Sequence, residues 1–159
     1  MCTRPGAGPV ITMSKNIWML LTLLAGALLP FQAALNTRLG KAAGHPVWGS
    51  TFSFLVGLVV LLGYLLFNRQ NAAWSTLKAS PGYLWLGGLM GAYYVTLIVY
   101  AFPRLGPGLT FGLIVAGQML VSLVLEHQNW LVEEQTPVNA MRIFGVILII
   151  AGVIILRKF

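Results

Sequence analysis

The sequence predicts an all-α integral membrane protein of about five transmembrane helices. Hydrophobic residues make up 58% of the 159 residues, charged residues only 8%, and the mean hydropathy is +0.84, whereas an ordinary soluble domain carries about 25% charged residues. The apolar runs are long and do not alternate, which excludes a transmembrane β-barrel built from alternating strands of about ten residues. Helices then remain the only way to satisfy the backbone hydrogen bonds in lipid.

Five apolar runs reach or approach the length of one membrane crossing. A crossing needs about 20 mostly apolar residues, because the hydrocarbon core is about 30 Å thick and a helix rises about 1.5 Å per residue. The last run reaches that length when it begins near Val138 and Arg142 extends its side chain to the interface. We predict one membrane domain, residues 16–158, after a disordered N-terminal tail, residues 1–15. The predicted spans are 17–36, 47–67, 83–102, 108–126 and 138–156.

The connections between these runs are short and leave no room for a separate soluble domain. The segment 103–107, with the sequence PRLGP, carries two helix breakers and predicts a tight antiparallel hairpin between the third and fourth spans. The longest polar loop, residues 126–139, holds all three acids of the chain. The first run is too long for a signal peptide and lacks a clear small-residue cleavage site, so we predict a retained helix.

Composition also limits the function classes. Ten bases against three acids give a net charge of +7, but the bases lie between the apolar runs, which favours contacts with the lipid bilayer surface and no nucleic-acid partner. The chain has a single cysteine, Cys2, so it cannot form an intrachain disulfide. No zinc-protease spacing, phosphate loop, nucleophile elbow or paired-carboxylate pattern occurs. We therefore expect no enzymatic activity, no catalytic residue, no cofactor and no metal.

The basic residues are balanced between the two sides of the membrane. Five spans place the termini on opposite sides, and the side that carries most Lys and Arg is normally cytoplasmic. Without Arg4, which lies in the tail, the counts are four against five. The N-terminal side carries Arg4, Lys15, Arg69, Lys78 and Arg142, and the other side carries Arg38, Lys41, Arg104, Arg157 and Lys158.

This balance predicts insertion in both orientations and pairing of two copies as an antiparallel homodimer. Such a pair is an inverted repeat, the symmetry that many transporters use around a midplane site. The alternatives are a balance that arises by chance, or a paralogous partner chain that fixes the orientation. Close-packing faces are offered by Gly87 with Gly91, Gly108 with Gly112, and Gly145 with Gly152.

Polar side chains inside the apolar runs are the candidates for a solute path, because they are costly in lipid and normally face protein or water. In the first span, Gln32 and Asn36 are four apart on one helix face, just after Pro30, which is expected to kink the helix. In the fourth span, Gln118, Ser122 and Glu126 form one stripe that ends beside His127.

We predict Gln118 and Ser122 as path residues and Glu126 with His127 as candidates for ion coupling. The alternative for Gln118 and Ser122 is simple hydrogen bonding between helices, worth about 0.6 kcal/mol each. Glu126 would then mark only the membrane interface.

Aromatic residues of the third span form a second group of candidates. Tyr93 and Tyr94 lie near mid-span and could stack on an organic solute. Trp85 and Tyr100 lie near its ends, where aromatic belts at the interfaces explain them. We expect His45, before Pro46, to be an exposed polar residue.

Several short motifs resemble the YdcZ-like five-helix branch of the drug/metabolite transporter superfamily. The resemblance extends over residues 16–156. It is carried by PFQ at 30–32, NTRLG at 36–40, SF at 53–54 with Gly57, PRLG at 103–106, AGQ at 116–118 and EH at 126–127. The sequence departs from that pattern after His127, where QNW replaces an expected glycine-containing turn.

The resemblance implies a multi-pass protein of a bacterial or archaeal inner membrane and a family history of duplication from dual-topology halves. It singles out Pro30, Gln32, Asn36, Arg104, Gln118 and Glu126. The predicted function is a secondary transporter or exporter of a small solute that works by alternating access as a dimer. The alternative is a non-transporting accessory or structural membrane subunit, which would copurify with a different chain and show no solute-dependent thermal stability.

Overall fold

A computed structural model describes residues 14–128, 131 and 138–158. Most of the predicted N-terminal tail, the departure from the family pattern at residues 129–130 and two of the three acids, Glu133 and Glu134, lie outside the described residues.

All regular structure in the described residues is helical, as the sequence predicts. Four helical segments are long and apolar enough to cross a membrane, and α3 is a short connecting helix. The helices are α1 (Lys15–Ala42), α2 (Pro46–Phe67), α3 (Trp74–Ala79), α4 (Leu86–Gln128) and α5 (Ala140–Lys158), with a 3-10 turn at Gly82–Trp85 before α4.

The turn between α1 and α2 is determined by local chemistry. Gly44 has a φ of 82°, a conformation that favours glycine. His45 Nδ1 accepts a hydrogen bond from the Val47 backbone N–H at 3.4 Å, and Pro46 occupies the first helical position, where its missing N–H costs nothing. His45, predicted as a merely exposed polar side chain, is therefore also the N-cap of α2.

Backbone contact, rather than interlocking large side chains, joins α1 to α2. A Cβ atom added to Gly49 would lie 2.0 Å from the Asn36 carbonyl oxygen, and one added to Gly40 would lie 2.9 Å from the Pro46 carbonyl oxygen. Glycine at both positions lets the two helices approach more closely than any other residue would allow.

The two predicted spans 83–102 and 108–126 both fall within α4, which is interrupted at Gly106. Gly106 has φ 75° and ψ 163°, a region that only glycine adopts without strain. Residues on its two sides face different parts of α1: Ile98 lines a pocket with Asn36, whereas Gln118 lines a groove with Thr22. The rings of Phe102 and Phe111 lie 6.4 Å apart, whereas nine residues of straight helix would span about 13.5 Å, so the chain turns sharply at Gly106.

The last helix, α5, packs only against α4 among the described elements. It begins where Asn139 Oδ1 accepts the Arg142 backbone N–H at 2.9 Å, as an N-cap does. Further along, Val153 lies against Gly112, whose added Cβ would approach the Val153 Cγ2 atom to 3.1 Å. The Gly108 and Gly112 pair predicted as a packing face therefore serves, at Gly112, a contact within the chain.

Candidate functional site

A cavity of about 360 Å³ lies between α1, α2 and the first half of α4. Gln32 of α1 and Ser53 of α2 supply its polar lining. Gly57, the twelfth of the 22 residues of α2, places the cavity near the middle of the helix and therefore of the membrane. The rest of the lining is Phe54, Leu58, Leu61 and Val95.

A small pocket of about 10 Å³ adjoins this cavity and shares Gln32 and Val95 with it. Asn36 and Tyr94 line the pocket, and Asn36 is only 6% exposed. Among the described residues, no hydrogen-bond partner reaches Asn36 Nδ2 or the Tyr94 hydroxyl. Buried polar groups are almost always hydrogen-bonded, so these two groups are available to a bound water or solute.

The helical repeat explains why these residues meet. Gln32 and Asn36 are four residues apart and therefore share one face of α1. On α2, Ser53 and Gly57 have the same spacing, and the missing side chain of Gly57 leaves free space opposite Gln32. The predicted pair Gln32 and Asn36 is thus brought together with Tyr94, but Tyr93, 68% exposed, points away from the cavity.

Gln118 lies in a different place. It lines an open, mostly apolar groove of about 750 Å³ between the N-terminal half of α1 and the second half of α4. Pro30, inside the continuous helix α1, lines the same groove. In the single chain, therefore, Gln32 and Asn36 face one opening and Gln118 faces another.

The polar stripe on α4 ends in a small network at the start of α5. Ser122 Oγ donates a hydrogen bond to Glu126 Oε1 at 3.4 Å, and Glu126 forms an ion pair with Arg142. Both charged side chains are partly exposed. His127 is exposed and lines a shallow groove with Leu123 and Val138.

A second polar cluster forms where the α1–α2 turn meets α4. The Tyr100 hydroxyl lies 3.4 Å from His45 Nε2, and the Arg104 guanidinium donates to the Tyr100 carbonyl oxygen while lying over its ring. Tyr100 was assigned to an interfacial belt, and Arg104 was singled out by motif alone. No sequence signal indicated that they would meet His45, since 55 residues separate His45 from Tyr100.

Sequence reasoning also missed Ser53 and Gly57 as lining residues. Both belong to the SF and Gly57 motif that carried the family resemblance, and their four-residue spacing opposite Gln32 was the signal that could have found them. Arg142, predicted to extend toward the interface, is the partner of Glu126.

Long apolar helices, a close glycine contact between them and an open cavity with an uncharged polar lining define a multi-pass helical membrane protein. The comparisons narrow this class. Residues 17–155 match the model of the family described as "Putative inner membrane exporter, YdcZ", so the chain belongs to that family.

One curated relative is the Inner membrane protein YdcZ of Escherichia coli (strain K12). It is 24% identical over 143 residues, which cover 88% of this chain and 94% of the relative. No solved structure matches the chain. The chain is accordingly a multi-pass inner-membrane protein, as predicted.

Proposed function

We propose that this chain is a secondary transporter that exports a small solute across the inner membrane. The observation that carries the proposal is the cavity around Gln32 and Ser53, with Asn36 and Tyr94 unpartnered beside it. Polar groups without partners at membrane depth are costly and are typically retained for a substrate path. The family description, an inner membrane exporter, points to the same function.

The proposal includes five membrane crossings, with α4 crossing twice. As one straight helix, its 43 residues would extend about 65 Å, more than twice the hydrocarbon thickness of about 30 Å. The non-helical backbone at Gly106 and the contact of Gln118 with the groove along α1 support a crossing on each side of Gly106.

The proposed working unit is an antiparallel homodimer that operates by alternating access. The near-equal counts of bases on the two sides support dual insertion. In the described part of the single chain, the cavity at Gln32 and the groove at Gln118 are both open, and α5 contacts only α4 among the described elements. A second, inverted copy would add the missing walls and bring Gln118 of one copy toward the path of the other.

Glu126, with His127 beside it, is the proposed coupling site. Alternating access requires interactions that form in one state and break in another. The ion pair between Glu126 and Arg142 is suited to this role because it joins the end of α4 to the start of α5 at a partly exposed position.

Export is tested by comparing the culture medium of cells that express the chain with that of cells expressing Gln32→Leu. A compound that accumulates only with the unchanged chain is then used in counterflow measurements with purified protein in liposomes. We expect Gln32→Leu and Gln118→Leu to lower counterflow at least about tenfold, a loss equivalent to about 1.4 kcal/mol, with dimerisation intact.

Gln70→Leu is the matched control, because Gln70 lies in the exposed connection after α2. Normal flux in Gln32→Leu would contradict the proposed path. Absence of any accumulated compound, together with stable copurification of a different membrane protein, would instead identify an accessory subunit.

A further inference from the structure

We infer that the cavity between α1, α2 and α4 selects a solute without net charge that carries hydroxyl or amide groups on a small apolar body. This inference rests on the proposed function and specifies its substrate class. It depends on three properties of the lining: its charge, its hydrogen-bonding groups and its apolar wall.

The lining that one copy of the chain contributes carries no formal charge among the described residues. Of the residues that line the cavity and its adjoining pocket, the described structure includes no Asp, Glu, Lys, Arg or His, and Tyr94 is the single titratable one. A charged solute at membrane depth needs an opposite charge, because its transfer from water is otherwise strongly unfavourable. The nearest turns of α1 carry their charges, Arg38 and Lys41, as exposed side chains outside the lining.

The hydrogen-bonding groups suit a neutral polar ligand. Within the described residues, Asn36 Nδ2 and the Tyr94 hydroxyl have no hydrogen-bond partner, and the Gln32 carboxamide and Ser53 hydroxyl lie in the adjoining cavity. Carboxamides and hydroxyls both donate and accept hydrogen bonds. A ligand hydroxyl or amide, which also does both, satisfies them without introducing charge.

The remaining wall is apolar. Phe54, Leu58 and Leu61 of α2 and Val95 of α4 face the same space. Ligand sites of about 300 to 1,000 Å³ are typically lined mainly by apolar side chains with a few polar groups that fix orientation. The cavity of about 360 Å³ fits a small organic molecule with one polar end against Gln32 and Ser53, beside the pocket that Asn36 and Tyr94 line.

The test measures whether neutral, cationic or anionic reagents enter the cavity, and it does not require that the natural solute be known. Gln32→Cys is introduced into a Cys2→Ser background, and the purified chain is placed in lipid nanodiscs, where both faces are accessible. Its labelling rate is measured with three methanethiosulfonate reagents of similar size: hydroxyethyl (neutral), trimethylammonium-ethyl (cationic) and sulfonatoethyl (anionic). Each rate is divided by the rate of Lys41→Cys, an exposed position at the end of α1.

Val60→Cys is the matched control for lipid exposure, because Val60 lies on α2 and is 64% exposed but does not line the cavity. We expect the neutral reagent to label Gln32→Cys at least about ten times faster, relative to Lys41→Cys, than either charged reagent. Val60→Cys should react slowly with all three, because the reactive thiolate does not form in lipid.

A second variant tests the same inference through electrostatics. Asn36→Asp, added to Gln32→Cys, places a carboxylate at the adjoining pocket and should raise the cation rate relative to the neutral rate. Its matched control is Thr51→Asp, at an exposed position of α2. If Asn36→Asp does not fold, the three-reagent comparison at Gln32→Cys decides alone.

Three outcomes overturn the inference. Equal rates for all three reagents would show an unselective opening, faster anion labelling would show an anion site, and no labelling by any reagent would show that the space is closed to solutes. Because labelling requires no flux, a neutral preference without any exported compound would contradict the proposed function and leave the selectivity intact. If the chain exports a charged compound and charged reagents label Gln32→Cys as fast as the neutral one, the selectivity is contradicted and the proposed export function stands.

Discussion

The contact between Gly49 and Asn36 has a direct consequence for the cavity. Because the α2 backbone lies against the Asn36 carbonyl group, α1 is fixed in the rotation that turns the buried Asn36 side chain toward Tyr94. The polar pocket therefore depends on the close packing of α2 against α1 at Gly49.

At this contact, Gly49→Ala should destabilise the protein strongly. The new Cβ would lie 2.0 Å from a backbone oxygen, so the helices must separate, whereas overpacking against movable side chains typically costs about 1–3 kcal/mol. The measurement is the melting temperature of the purified protein in detergent.

Gly63→Ala on the same helix is the control, since nothing lies within 4 Å of its added Cβ. Equal melting temperatures for the two variants would show that the close approach of α1 and α2 does not exist.

The role of Glu126 is tested by two substitutions that break the same ion pair. Glu126→Gln removes the carboxylate, whereas Arg142→Gln leaves it in place. If Glu126 couples protons to transport, flux should lose its dependence on pH in Glu126→Gln and keep it in Arg142→Gln. The measurement is counterflow in liposomes over a range of about four pH units around neutrality. Identical pH profiles in both variants would assign the pair a purely structural role.

Part of the arrangement of these candidate residues follows from the sequence for a physical reason. Gln32 and Asn36 lie four apart, so their common face follows from the helix repeat alone. Tyr93 and Tyr94 were equivalent candidates because neighbouring residues differ by about 100° around a helix, and only the rotation of α4 against α1 decides between them. The separation of Gln118 from Gln32 depends on packing between distant segments, which no local pattern encodes.

Among the elements, the boundaries of α2 were predicted within one residue, because Pro46 and the end of the apolar run at Phe67 mark them in the sequence. α1 instead continues six residues past the predicted end at 36, through Ala42. The last turn and a half is too polar to lie in lipid, but its residues can still continue the helix beyond the membrane. Hydropathy predicts where a helix enters lipid rather than where it ends.

The break in α4 was predicted as a hairpin at residues 103–107, and the structure concentrates it in one residue. Pro107 begins the second half, where a proline N–H is not needed, and Thr110 Oγ1 donates to the Gly106 carbonyl oxygen at 2.7 Å. Both prolines lie within helical backbone, so Gly106 alone changes the chain direction.

Gly106→Ala should therefore lower stability more than an alanine elsewhere in α4. A side chain at φ 75° and ψ 163° costs about 1–3 kcal/mol, whereas alanine in a regular helix is favourable relative to glycine. Melting in detergent and the amount of protein recovered from membranes measure the effect.

The matched control is Gly117→Ala, which lies in regular helix with nothing within 4 Å of the added Cβ. A Gly106→Ala protein as stable as Gly117→Ala would show that the backbone at residue 106 is not held in the positive-φ region.

For the whole molecule, orientation in the membrane is the property that the proposed dimer needs most. The two sides differ in acids: all three acids lie at the end of α4 or after it, on the side of the N-terminus in the proposed five-crossing topology. Acids contribute little to orientation, so the near balance of bases decides it.

We predict that single cysteines at Ser14 and Phe159, in a Cys2→Ser background, each label to about half with an impermeant thiol reagent in intact cells. Half labelling follows when both orientations are equally populated. Adding two lysines after Ser14 should protect the Ser14 site almost fully from the reagent. The added positive charge favours the orientation in which the N-terminus is cytoplasmic.

Full labelling at one terminus and none at the other, without added lysines, would exclude an inverted homodimer. An oppositely oriented partner chain would then be required for the same symmetry.

The reversal at Gly106 also bears on how the protein is made. Between Leu86 and Leu125 the chain carries a single charged residue, Arg104, and the two halves of α4 are separated by one non-helical residue. There is therefore no polar loop between the two halves that could stay in water after the first half has been inserted and before the second half follows. In the proposed topology the two halves enter the bilayer together as a pair, and the side on which Arg104 emerges orients both of them at once.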